Sequence, residues 1–370
     1  MKISIENLAA LVKTDYLGHA RISFGEAGSE AIVTLLDSIK LLYQRCPPEC
    51  LPGTLTVVKG IEATPSSPTI SGLGSINRFG DYESLGVAIQ CLPSNNHTVV
   101  EVLPDGALCM ISLLTDIDLL AVAQTAIVYR YESNSDLIIS KGHRDFLPKI
   151  SNHLRSNFAV PTFSSLEETF RHYAADLALH SQCRLLKGVW EGGVDGPRLI
   201  LTNKPESLMR DSLAQALQLL HRDASVRPEQ NTDETKPVDI RVEWFGTGAS
   251  ALIEIKWIGK STAISKTPGP TPTYTEYGLS RVQDGAKQLA DYMDREKRHS
   301  NASAPRGYLV VFDARRKNTK SATDKLVKAD AIYFEDEGIK LNPDYSKTRG
   351  DFASAVRFYM QPRESHFATT

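Results

Sequence analysis

Three residues set the chemical question: Asp239 in "PVDIRVEW", and Glu254 and Lys256 in "ALIEIKWIGKS". Residues 252–258 are rich in β-branched side chains and bounded by Gly248 and Gly259, which reads as a strand. Strand side chains alternate, so Glu254 and Lys256 share one face while Ile253, Ile255 and Trp257 share the other. Ionised groups inside so apolar a strand are costly unless they are paired or bound to a metal. Two carboxylates converging from adjacent strands could hold Mg²⁺, with Mn²⁺ as a substitute, because hard oxygen donors suit a hard ion. Such an ion stabilises charge on a transferring phosphoryl group, and an ammonium beside it neutralises the phosphate or orients water. Asp239 and Glu254 are therefore the expected metal-binding carboxylates, the Ile255 carbonyl a further donor, and Lys256 the catalytic cation. The neighbouring "IGKST" ends like a phosphate-binding loop. That motif needs Gly where Glu254 stands, and Lys260 and Ser261 close a strand where they should open a helix.

The elements that must position these residues follow from periodicity. Residues 205–221 read as a helix, with Asn203 at the N-cap and Glu206 at N3 in a capping-box arrangement. A polar loop then leads into a strand at about 238–245, and "GTGAS" turns the chain into the Glu254 strand. Residues 262–280 are rich in Pro and Thr and read as a surface loop. A helix over about 280–298 carries Val282, Ala286, Leu289 and Met293 as an apolar stripe, and "GYLVVFDA" (307–314) is a further apolar strand. After it the sequence suggests short strands at most and a partly ordered tail. The order helix, strand, turn, strand, helix, strand describes an α/β domain with helices flanking a mixed sheet.

Towards the N-terminus, residues 29–45 have helical spacing of Ile32, Leu35, Leu36, Ile39 and Leu42. "GTLTVVKG", "LGVAIQCL" and "HTVVEVL" read as short strands. The Gly-rich residues 71–86 read as a turn or loop, since their spacing is not that of a dinucleotide-binding motif. A further helix is expected at about 166–183. These signals give a separate mixed α+β domain over residues 1–160 and a second domain over 161–370.

A chain of 370 residues suits two domains, and 41% hydrophobic residues suffice for ordinary cores. No long apolar run and no basic-then-apolar leader is seen, so neither a membrane span nor a signal peptide is expected. The five cysteines, at 46, 50, 91, 109 and 183, follow no framework or zinc spacing. They read as reduced thiols of a cytoplasmic protein. The formal charge of −2 excludes a uniformly basic surface. Residues 236–328 nevertheless carry an excess of Lys and Arg, which suits an anionic ligand held by one domain.

With "VDI" at 238–240, a short hairpin and "EIK" at 254–256, the chain resembles the PD-(D/E)xK nuclease superfamily. The resemblance covers about residues 200–315, with Val238 in the usual Pro position. Glu206 falls where many members carry an extra acidic metal ligand. "QLADY" (288–292) resembles the Gln-x-x-x-Tyr helix motif of one large branch, which makes Gln288 and Tyr292 supporting residues behind the metal site. The resemblance implies a restriction-endonuclease-like core, Mg²⁺-dependent cleavage of nucleic acid, with DNA favoured over RNA, and a role in bacterial defence. Lys260, Lys266, Arg281 and Lys287 are the candidate phosphate contacts. The N-terminal domain is expected to be a sensor, a specificity domain, or the surface for a protein partner or a second copy. The alternative is a nuclease-like module that only binds nucleic acid or protein. Plainer readings remain for each residue: Asp239 capping a strand end or pairing with the neighbours of Arg241, a solvated Glu254–Lys256 pair, Glu206 as a helix cap, Gln288 and Tyr292 as packing residues. Asp211 is a weaker candidate than Glu206, and Glu243 is expected to face solvent or a neighbouring helix.

Overall fold

The computed structural model describes residues 5–93, 95–150, 154–193, 195–230, 238–263, 272–299 and 305–368. Two compact units emerge, one of Met1–Ser165 with Gly246–Gly248 and one of Leu166–Phe245 with Ala249–Thr370. Each is an α/β unit built around its own mixed sheet. Among the described residues no helix is long and apolar enough to cross a membrane.

In the first unit, α1 (Ile5–Arg45) is interrupted at Gly25, whose φ of 67° is open to glycine and unfavourable for most residues. Its C-terminal part buries Ile32, Leu35, Ile39, Leu42 and Tyr43, a three-to-four-residue repeat, against the sheet. The strands are β1 (Thr54–Gly60), β2 (Asn77–Phe79), β3 (His97–Val102), β4 (Leu108–Leu113), β5 (Ala126–Glu132), β6 (Ser135–Ser140) and β7 (His143–Leu147). They run in the order β2-β4-β3-β1-β5-β6-β7, with β1 and β3 parallel. One face is covered by α1 and α2 (Tyr82–Gln90). The other is covered by the turn at Thr69–Gly72 and the segment carrying the short α3 (Leu119–Val122).

Two readings of this unit are corrected. "LGVAIQCL" belongs to the helix α2, not to a strand, because Asp81 caps it by accepting the Ser84 N–H at 2.7 Å. The helix buries Leu85 and Ile89, one turn apart. The Gly-rich residues 71–86 supply β2 and the start of α2 instead of a plain turn.

The second unit begins within α4 (Phe163–His172), and a π-helical turn (Tyr173–Ala178) and the short α5 (Arg184–Lys187) lead to α6 (Glu206–Leu220). The sheet then forms from β8 (Ala224–Gln230), β9 (Val238–Trp244), β10 (Ser250–Thr262), β12 (Arg306–Ala314) and β13 (Val356–Tyr359), in the order β13-β12-β10-β9-β8. The short β11 (Tyr274–Tyr277) pairs with the far end of β10. β10 is antiparallel to β9 and parallel to β12. The helix α7 (Leu279–His299) lies on one face, burying the expected stripe of Val282, Ala286, Leu289 and Met293. The short helices α8 (Lys328–Ala331) and α9 (Tyr345–Thr348) follow.

Three expectations change here. The polar segment before β9 begins with the edge strand β8, where Pro228 is tolerable because one side of an edge strand needs no ladder. The loop expected at 262–280 gives β11 at its end, while its residues 264–271 lie outside the described residues. The tail is not loose: β13 extends the sheet, and Phe352, Phe358 and Met360 are buried.

Candidate active site

The site forms where β9 and β10 part. Their ladder runs from Ser250 opposite Glu243 to Ile253 opposite Ile240 and then stops. β10 keeps β12 as its neighbour on the other side as far as Ile258 opposite Asp313. At Ile255 the missing partner is replaced by a side chain: Asp239 Oδ2 accepts the Ile255 N–H at 2.8 Å. The gap therefore brings Asp239 to Glu254 across the strand boundary.

Glu254 and Lys256 point to the face covered by α7. Glu254 is 1% exposed and Lys256 is 8% exposed, which removes the reading of a solvated surface pair. The Lys256 ammonium donates to Glu254 Oε1 and, at 3.1 Å, to the Ile255 carbonyl. Both expected donors of β10 are thus held by one internal cation. Glu254 Oε2 remains buried without a hydrogen-bond partner among the described residues. A buried, unpartnered carboxylate oxygen is uncommon and calls for an explanation such as an ion.

The electrostatics follow from crowding in a dry place. Burial pushes the Glu254 carboxyl up to about 8, with Asp239 adding to the rise and Lys256 opposing it. Asp239 is pushed up to about 6, again by burial first, against the Ile255 N–H and Lys256. Glu206 raises both further. Burial lowers the Lys256 pKa, but Glu254 outweighs it and the net displacement is upward. The cluster holds more negative charge than its own ammonium neutralises comfortably.

Glu206 reaches this field from the first residue of α6. The capping box is not formed: Pro205 occupies the N-cap position and makes no side-chain cap. Lys204, at φ 52°, turns the chain away between Asn203 and the helix. Free of a capping role, Glu206 Oε2 accepts from Arg281 Nη2 at 2.7 Å. Arg281 in turn lies over the ring of Tyr277, 4.4 Å from its centroid, and 5.5 Å from that of Trp257.

From α7, Gln288 Nε2 donates to the Tyr292 hydroxyl at 2.7 Å. Tyr292 is fully buried, and burial raises its pKa, with Glu254 and Asp239 contributing to the rise. The pair therefore lies within the field of the carboxylates, with the Gln288 amide directed to Tyr292. Gly285, one turn earlier, was not apparent among the site residues. Its Cα faces the Lys256 stem, and the signal in the sequence is a glycine within a helix of good helix formers.

The basic candidates divide. Lys287 is exposed. Lys260 donates to the Thr319 carbonyl at 2.6 Å and lies 3.6 Å from Glu276, and Arg281 is engaged as described. Lys266 lies outside the described residues. Asp211 pairs with Arg210 at 3.4 Å, and Glu243 is held by Arg241 at 2.7 Å and by Arg227.

Among the described residues no group of three or more His, Cys, Asp or Glu side chains is gathered to hold a metal ion. The donor set that does converge is smaller: Asp239, Glu254 and the Ile255 carbonyl. It is all oxygen, excess in negative charge, and includes the orphaned Glu254 Oε2, so it fits a hard divalent cation. No family model, curated protein or solved structure matches this chain.

Proposed function

We propose that this chain is a Mg²⁺-dependent nuclease whose second unit has a restriction-endonuclease-like core. The observation that carries the proposal is the buried Asp239–Glu254–Lys256 cluster at the parting of β9 and β10, with Glu254 Oε2 left unsatisfied. Asp239, Glu254 and the Ile255 carbonyl would hold the cation, with Glu206 as an additional ligand once released from Arg281. The cation, Mg²⁺ or Mn²⁺, supplies Lewis-acid stabilisation of the phosphoryl charge and lowers the pKa of bound water.

The chain's own residues do the rest. Lys256 must leave Glu254 Oε1 and the Ile255 carbonyl to address the phosphate or the attacking water. Its pKa is displaced upward by Glu254 in the resting arrangement, so the ammonium starts this movement charged. Gln288 and Tyr292 support the carboxylates from α7, and Lys287 offers an exposed charge for the nucleic-acid backbone. DNA is preferred over RNA on resemblance alone, as is a cytoplasmic role in defence against foreign DNA. The first unit is assigned to sensing, specificity or assembly with a protein partner or a second copy.

One observation favours a second reading, a nuclease-like module that binds without cleaving. Lys256 already satisfies Glu254 Oε1 and the Ile255 carbonyl, so the cluster is partly self-neutralised. Incubating the protein with plasmid, linear duplex and single-stranded RNA, with Mg²⁺ and with EDTA, separates the two. Cleavage that needs Mg²⁺ and is lost in Lys256→Ala supports the nuclease. Intact substrates throughout leave the binding module.

A further inference from the structure

We infer that Gly285 is a positioning residue for Lys256: its missing side chain is the channel through which the Lys256 stem reaches Glu254. A methyl group at Gly285 would lie 2.6 Å from Lys256 Cγ, 3.0 Å from Cε and 3.2 Å from Leu309 Cδ1. The first contact is with the inner part of the stem, so a swing of the ammonium alone does not relieve it. Leu309, which stands opposite Glu254 on β12, is the third neighbour that methyl group would meet. Lys256 itself is fixed at its tip by Glu254 Oε1 and the Ile255 carbonyl.

The backbone at Gly285 does not require glycine, since it sits within α7 at helical dihedrals without a positive φ. Glycine within a helix is otherwise unfavourable relative to alanine. Space above Lys256 is the remaining reason for it. α7 therefore does two things to the site: Tyr292, held by Gln288, lies within the field of the carboxylates, and Gly285 leaves room for the Lys256 stem. The catalytic part of this inference rests on the proposed nuclease function. The steric part does not.

A double-mutant cycle on the full chain tests it, with thermal midpoint, Mn²⁺ calorimetry and cleavage kinetics as readouts. Gly285→Ala is expected to lower the thermal midpoint when Lys256 is present. In the Lys256→Ala background, where Cγ is gone, the same change should raise the midpoint by ~2–4 °C, the ordinary helix gain. In cleavage, Gly285→Ala should lower kcat by ~100-fold, the effect of misplacing a catalytic group by about an ångström, with KM and Mn²⁺ affinity within about twofold of wild type. Equal midpoint changes in the two backgrounds would overturn the inference, as would an unchanged kcat in an active enzyme. If wild type cleaves nothing, the nuclease assignment fails while the thermal cycle still decides the steric role of Gly285.

Discussion

Asp239 Oδ2 takes the Ile255 N–H at 2.8 Å where the β9–β10 ladder has just ended. A side-chain carboxylate stands in for a backbone carbonyl, and the strand boundary becomes a place where two acidic residues meet. The Asp239 carboxylate thus has a structural duty to β10 beside the chemical one proposed for it.

These duties separate by mutation. Asp239→Asn keeps an acceptor for the Ile255 N–H and removes a charge that raises the Glu254 pKa. Asp239→Ala removes both. In EDTA at pH 8, Asn is expected to be at least as stable as wild type, and Ala less stable than Asn by about 1–3 kcal/mol, the cost of an orphaned buried N–H. Urea unfolding of the three proteins checks this. Equal stability of Asn and Ala would dismiss the structural duty.

Stability without added metal should depend on pH in a specific direction. Folding raises Asp239 from 3.8 to about 6 and Glu254 from 4.5 to about 8. The folded state therefore binds more protons than the unfolded state across this interval, and stability is lost as pH rises through it. Lys256, displaced upward from 10.5, is charged in both states there and adds no slope. Unfolding in EDTA between pH 5 and pH 9 should show a fall of at least ~1 kcal/mol attributable to this cluster, since one pKa unit corresponds to about 1.4 kcal/mol. The fall should be largely absent in an Asp239→Asn, Glu254→Gln double variant. An identical slope in that variant would place the titration elsewhere.

Arg281 neutralises Glu206 at 2.7 Å, which would restrain Glu206 in the role of additional ligand proposed for it. Arg281→Gln should tighten Mn²⁺ binding about threefold to tenfold, or about 0.7–1.4 kcal/mol, while Glu206→Gln should weaken it by a similar factor. Isothermal titration reads both. Unchanged affinity in both variants would reduce their ion pair to a packing feature of α6 and α7.

Gln288 and Tyr292 are one hydrogen-bonded unit, so their losses should not add. Gln288→Ala and Tyr292→Phe are each expected to cut cleavage ~10–100-fold, with the double variant close to the worse single one. Multiplicative losses would mean that the two residues serve the site separately. Wild-type rates in both would remove them from it.

The shared face of Glu254 and Lys256 in the candidate site was legible because period-two alternation in β10 forces it, whatever the surrounding fold. The apolar stripe of α7 was equally plain. "LGVAIQCL" misled because a short apolar run fits a buried strand or a buried helix, and the Asp81 cap decided between them. β8 was hidden by its polar composition, which an edge strand can carry. The Asn203 cap failed on a backbone turn at Lys204 that side-chain patterns do not announce. The internal partners of Lys260 and Arg281, Thr319 and Glu206, are far away in sequence, so charge counting read both cations as available. Gly285 meets the Lys256 stem across a helix–sheet contact that no local pattern encodes.

Calorimetric titration of the EDTA-treated protein with Mn²⁺ tests most directly whether Asp239 and Glu254 form a cation site. The wild type should show saturable binding. Asp239→Asn and Glu254→Gln should lose at least ~10-fold in affinity, and Lys256→Ala should retain it, because an ammonium is a competitor for Glu254 Oε1 and not a ligand. Saturable binding of equal strength in all four proteins, or none in the wild type, would contradict the account.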